Sequence, residues 1–174
     1  MPTQEVFLIR QGETEWSLNG RHTGVSDIPL TESGRDVARL WQPYAAERTL
    51  TLVLCSPLQR ARQTCELAGL GSHAQIEADL KEWNYGDYEG LTPQQIRAIR
   101  PDWLIFRDGC PGGETPAQVG ARVDRVIARI RATQGDVAVF AHVGMCYGCS
   151  QPAGSAWLLP VAVISCSRPL PCAY

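Results

Sequence analysis

Lysine is all but missing from this chain: Lys81 is the single example, so nearly all positive charge rests on arginine. Formal net charge is −2, from 16 basic and 18 acidic residues. That balance provides no global field to recruit nucleic acid or an anionic membrane, and an anion has to be held by locally placed guanidinium groups. Long apolar runs are absent too. None approaches the roughly 18 residues of a membrane span, and the N-terminus passes almost directly into a strand pattern instead of a signal peptide. A cytoplasmic protein with neither a nucleic-acid nor a membrane partner is expected. The seven cysteines form no cage: Cys146-x-x-Cys149 has no second pair at compact spacing, which argues against a zinc site or a redox couple. Acidic residues vanish near the end, where the 32 residues from Val143 hold no Asp or Glu and one Arg, yet four Cys and four Pro.

What is present is enough for one domain with a full core, at 174 residues with 44% hydrophobic and 20% charged composition. Val6-Phe7-Leu8-Ile9 reads as a short buried strand, and Arg10-Gln11-Gly12-Glu13 follows it into a polar loop. A strand that ends in an arginine and a glycine is a natural anion site, because open α/β sheets bind ligands beyond the carboxyl ends of their strands. Residues 16–29 read as a loop containing Arg21, His22, Thr23 and Gly24. Thr31 is the expected N-cap of a scaffold helix with Val37, Leu40 and Trp41 on one face. Thr49 to Cys55 reads as the second strand, with Cys55 a small core residue, and Ser56-Pro57 as the N-cap and first residue of the next helix. Arg60 then adds a guanidinium to a helix N-terminus, a place suited to phosphate; Arg62 reads as a surface charge.

Further on, Ile76 to Leu80 reads as a short third strand or extended piece leading to Lys81-Glu82-Trp83-Asn84-Tyr85-Gly86. Capping boxes at Thr92-Pro93-Gln94-Gln95 and Thr115-Pro116-Ala117-Gln118 start two helices. The second of these places Val119, Val123, Val126, Ile127 and Ile130 on one side, and its arginines read as a solvated face. Asp136 to His142 is the fourth strand, ending in a histidine, while His22 and His73 read as structural or surface residues.

Four stretches in this order, Arg10-Gln11-Gly12-Glu13, Ser56-Pro57-Leu58-x-Arg60-Ala61-x-x-Thr64, Leu80-x-Glu82 with its following glycines, and the strand ending at His142, resemble the histidine phosphatase (phosphoglycerate mutase-like) superfamily. The resemblance covers about residues 4–142 of a single domain spanning 1–174 and implies a three-layer α/β/α fold with a mostly parallel central sheet. It further implies that Arg10 and Arg60, with Arg21 and Thr23 from the loop, bind phosphate and substrate, that Glu82 protonates the leaving oxygen, and that His142 faces the phosphoryl group. The substrate class is a small phosphorylated metabolite or inorganic phosphate, and neither metal nor cofactor is implied. The family's nucleophilic histidine falls on Gln11. A glutamine amide, its lone pair delocalised into the carbonyl, cannot attack phosphorus, so this chain is expected to be inactive or severely impaired as a phosphatase. A phosphate-binding pseudoenzyme and a mutase-like isomerase are the alternatives, and His22 is a remote substitute nucleophile.

The family normally continues after this histidine with a long helix, and here the pattern stops. Reading plausible codons from the third base of Val143 gives Gly-His-Val-Leu-Arg-Val-Leu-Ala-Ala-Arg-Trp-Leu-Gly-Leu, which is such a helix. A one-base frameshift at or just after His142 is therefore expected, with residues 143–174 an atypical tail whose cysteines carry no chemistry.

Overall fold

Alternation along the strands decides the architecture. In β1 (Val6–Arg10), β2 (Leu50–Cys55) and β4 (Asp136–Ala141), successive residues enter two different apolar clusters. Val6, Leu8, Leu52, Leu54, Val137 and Val139 join one, while Phe7, Ile9, Val53, Cys55, Ala138 and Phe140 join the other. A strand buried on both faces must sit in a sheet covered on both sides, the parallel α/β arrangement. The computed structural model describes residues 4–144 together with the backbone of residues 161–165. Its sheet is parallel throughout, in the order β3-β2-β4-β1-β5, where β3 is Ala74–Ile76 and β5 is Val161–Ser165. The fold is the layered α/β type that the sequence implies.

Helices supply the outer layers. They are α1 (Glu15–Leu18), α2 (Glu32–Arg39), α3 (Gln42–Ala46), α4 (Gln59–Leu67), α5 (Pro93–Ile99), α6 (Ile105–Asp108) and α7 (Pro116–Arg131). α7 starts where its capping box says it should: Thr115 accepts from the Gln118 amide, and Gln118 accepts from the Thr115 amide. Val119, Val123, Val126 and Ile130, spaced at helical period, are buried against Val6, Leu8, Val137 and Val139. Each such side chain contributes roughly 1.5–3 kcal/mol. On the opposite face α4 buries Ala61 and Cys65, small residues that let it lie close to β2 and β4. Among the described residues no helix is long and apolar enough to cross a membrane.

Three local readings are corrected. The third strand runs over Ala74–Ile76, not Ile76 to Leu80; residues 78–80 form one 3-10 turn. The ladder stops where the Glu77 amide donates to the Cys55 carbonyl, after which the Glu77 carboxylate accepts from the Asp79 amide and turns the chain, burying Leu80. α4 begins at Gln59 with Leu58 at its N-cap position, and Ser56 accepts only from the Leu58 amide ahead of the helix. Arg122 is not solvated, for its guanidinium pairs with Glu114 at 2.8 Å and donates to the carbonyls of Asp79 and Lys81. In the C-terminal stretch, Val161–Ser165 pairs in parallel with β1. The rest of the proposed frameshifted tail, with Cys146, Cys149, Cys166 and Cys172, lies outside the described residues.

Candidate active site

Register places the key residues side by side. Arg10 lies opposite Ala141 in the β1–β4 pair, and the Gln11 amide donates to the Ala141 carbonyl at 2.9 Å, so Gln11 and His142 leave adjacent strands at the same level. β2, the other neighbour of β4, delivers Ser56 there, its amide bonded to the Phe140 carbonyl. All three positions follow the carboxyl ends of parallel strands, where ligands collect in this type of sheet.

The loop carrying Gln11 is pinned by close packing. The Gly12 amide donates to Thr64 Oγ1 at 3.0 Å, and Thr64 in turn donates to the Arg60 carbonyl at 2.7 Å. Glu13 lies against the start of α2, where a Cβ on Gly34 would stand 2.4 Å from the Glu13 carbonyl oxygen. Only glycine permits that approach, and Thr31, the cap of α2, also bonds the Glu13 carboxylate at 2.8 Å. Gln11 is 6% exposed, and its Oε1 has no hydrogen-bond partner among the described residues.

Arg60 is fully buried on the first turn of α4. Its terminal nitrogens donate to the carbonyls of Ser26 (2.8 Å), Gly24 (2.7 Å) and Thr23 (3.2 Å), while Nε has no partner among the described residues. That loop is held in turn by Glu89, whose carboxylate accepts from the amides of Gly24 and Ser26. Thr23 therefore reaches the cluster through its carbonyl; its hydroxyl donates to the Arg21 carbonyl instead. Arg21 is exposed and donates to the Gly90 carbonyl, with no contact to Glu82 or His142 among the described residues. His22 is packed against Tyr85 and, edge-on, Trp103, at centroid distances of 4.6 and 5.6 Å. Burial lowers its pKa, and it belongs to this aromatic cluster.

Glu82 is 4% exposed and accepts from two backbone amides, Trp83 at Oε1 (2.8 Å) and Gly144 at Oε2 (3.1 Å). Burial drives its pKa upward, against the opposing pull of those hydrogen bonds and of Arg60 and Arg10. Gly144 must be glycine for this contact, since a Cβ there would meet Glu82 Oε1 at 2.5 Å. His142 has no exposed surface; its Nε2 lies 2.8 Å from Ser56 Oγ, and its Nδ1 has no partner among the described residues. Burial, then the positive charges of Arg60, Arg10 and Arg122, push its pKa well below the ordinary imidazole value. Arg10, Arg60, Glu82 and His142 thus interact electrostatically as one group.

Sequence reasoning missed four contributors. Ser56 was expected as a helix cap, Thr64 and Gly144 had no assigned part, and Arg122 was assigned to solvent. Arg122 grips the carbonyls of Asp79 and Lys81, fixing the turn from which Glu82 projects. Its spacing from Glu114 in sequence carries no local signal.

The depressed histidine pKa makes folding pH-dependent. A folded pKa below the unfolded one gives stability that is complete above about pH 6.5 and declines by up to about 1.4 kcal/mol per pH unit as acid protonates the unfolded state first. The loss ends once pH has fallen through the folded value. Glu82, with its raised pKa, has the opposite sign: its contribution is full below about pH 4.5 and is lost as pH rises through the folded pKa. Urea midpoints at pH 7 and pH 5 should therefore differ less in His142→Asn than in the parent. Equal differences in both would show that His142 is not held neutral.

A family model described as the histidine phosphatase superfamily (branch 1) matches residues 6–151. An acid phosphatase of Mycobacterium tuberculosis is 46% identical over 125 residues, covering 71% of this chain and 61% of its own. A sedoheptulose 1,7-bisphosphatase of Saccharomyces cerevisiae is 36% identical over 173 aligned positions, covering 80% and 64%. The chain thus spans about three fifths of the length of these curated relatives. Among solved structures, the product of an open reading frame of Mycobacterium tuberculosis superposes with TM-score 0.76 at 42% identity, covering 82% of this chain and 75% of that one. A mycobacterial glucosyl-3-phosphoglycerate phosphatase gives 0.72 at 28% identity, covering 82% and 76%.

Proposed function

The chain belongs to the histidine phosphatase superfamily, and from that premise we propose that its pocket binds the phosphoryl group of a small phosphorylated metabolite while Gln11 leaves it nearly or wholly without turnover. The observation that carries this reading is a set of buried polar atoms with nothing to bond. Arg60 Nε and His142 Nδ1 are both enclosed and, among the described residues, unpartnered, within an electrostatic group that includes Arg10. Buried donors without partners are rare and expensive, and an anion supplies what they lack. Gln11 can join them, because its amide can turn to present NH₂ in place of Oε1.

With a histidine at position 11 the same group would support phosphoryl transfer. The imidazole lone pair forms a P–N bond as the P–O ester bond breaks, and the leaving oxygen takes its electron pair and the Glu82 proton. Water then attacks phosphorus, gives its proton to the Glu82 carboxylate, and releases orthophosphate and free imidazole. The arginines bind the charge that builds on the equatorial oxygens. Gln11 removes the first step and leaves the binding donors in place. The relatives named as phosphatases of sugar and glycerate phosphates, and those named as probable phosphoglycerate mutases, support a small phosphorylated metabolite as the ligand.

The test is calorimetric titration of the chain, unaltered, with inorganic phosphate. Saturable binding is expected, weakened roughly ten- to hundredfold in Arg60→Ala, the range for losing hydrogen bonds to a charged group. Absence of binding in the folded chain, or binding indifferent to Arg60→Ala, would remove the reading.

A further inference from the structure

Ser56 does something in this pocket that the chemistry above does not use. We infer that Ser56 is a positioning residue that fixes His142 as its Nδ1–H tautomer, leaving one N–H donor for a bound phosphoryl oxygen. The inference rests on the phosphate-binding reading only for what the freed donor meets; the tautomer follows from counting hydrogen bonds.

Ser56 is fully buried, so its hydroxyl must find partners within the protein. Its Oγ accepts from the Leu58 amide at 3.3 Å and lies 2.8 Å from His142 Nε2. Among the described residues no other acceptor stands within reach of its hydrogen. If the hydroxyl donates to Nε2, every polar atom of the pair is satisfied except one, the proton on Nδ1. If Nε2–H donated to Oγ instead, two would be left over: the serine hydrogen and the Nδ1 lone pair, both buried. Both arrangements contain one Ser56–His142 bond, but the first leaves one buried polar group unsatisfied where the second leaves two, and it points a donor, not a lone pair, at an anion. The surroundings agree, because Arg60, Arg10 and Arg122 act on this ring and disfavour a further cation. A neutral N–H can serve a phosphoryl oxygen here without a further positive charge being buried.

The Ser56 oxygen accepts from the Leu58 amide while its hydrogen faces the histidine, and α4 begins at Gln59. The backbone keeps this pair in register, since β2 and β4 are neighbours and the Ser56 amide bonds the Phe140 carbonyl.

Long-range ¹H–¹⁵N correlation on histidine-labelled protein reads the tautomer directly, with His142 assigned by His142→Asn. The expected result near pH 7 is a protonated Nδ1 and a bare Nε2, with Nδ1–H shifting on addition of inorganic phosphate. Ser56→Ala should mix or reverse the tautomers and weaken phosphate binding about five- to tenfold, the loss of one positioned hydrogen bond. Ser56→Thr, which keeps the hydroxyl, should stay within about twofold of the parent. A parent found as the Nε2–H tautomer overturns the inference, as does a folded Ser56→Ala that keeps both the Nδ1–H form and the parent affinity. The expected tautomers without phosphate binding in any form would uphold the part played by Ser56 and overturn the phosphate reading instead.

Discussion

Gln11→His is expected to raise hydrolysis of p-nitrophenyl phosphate by several orders of magnitude over the chain as it stands. Removing the nucleophile from a serine hydrolase that otherwise keeps its machinery lowers turnover on the order of 10⁶-fold, and restoring one should recover a comparable factor where the rest of the site is in place. The structure says what must be in place. The backbone of residue 11 is held by the Ala141 carbonyl, and the next amide by Thr64, neither of which depends on the side chain at 11. The pocket around it already contains Arg60, His142 and Glu82, all essentially buried. An imidazole would therefore enter a formed site. Steady-state hydrolysis by both forms, with an alkaline denaturing quench to recover from the variant alone a phosphoprotein that later acid treatment destroys, makes the comparison. A folded variant that binds phosphate yet hydrolyses nothing and traps no phosphoprotein would mean the pocket serves binding only.

Why the sequence revealed so much of this pocket, and where it fell short, has a physical explanation. Strands β1, β2 and β4 are short apolar runs ended by residues that cannot continue a buried ladder, and α5 and α7 start with capping boxes whose residue spacing is fixed by one turn of helix. Such signals are local. The positions of Arg10, Gln11, Arg60 and His142 follow from them, because each sits at a strand end or in a first helical turn. What could not be read is what depends on partners distant in the chain. Ser56 looks like a cap until His142, 86 residues later, is placed beside it. Arg122 looks solvated until the turn at Asp79 to Lys81 is brought against α7. Strand β3 is three residues long, too short for alternation to define its ends. The loop residues Arg21 and Thr23 came from resemblance alone, and the structure bonds Arg21 to Gly90 and the Thr23 hydroxyl to Arg21, so their part is a proposal about the bound state.

Glu82→Gln, made on the Gln11→His background, should separate leaving groups. An alkyl phosphate needs a proton on its departing oxygen as the P–O bond breaks, and losing a positioned general acid lowers such a step by about 10²- to 10⁴-fold. p-Nitrophenolate leaves without that help, so its release should fall no more than about tenfold. The pH profile carries an independent signature. Burial raises the Glu82 pKa, the Trp83 and Gly144 amides and the two arginines restrain the rise, and a bound phosphate dianion would raise it further. Turnover of the alkyl ester should accordingly be highest where Glu82 is protonated and decline as pH rises through that raised value. Glu82→Gln should lack this decline, because its amide does not titrate. The amide has one acceptor oxygen where the carboxyl has two, so it keeps only one of the Trp83 and Gly144 bonds, and the variant is expected to be less stable than its parent by about 1–3 kcal/mol in urea unfolding at pH 7. Equal losses for both esters, with the pH dependence unchanged, would assign Glu82 to holding Trp83 and Gly144 in position rather than to giving up a proton.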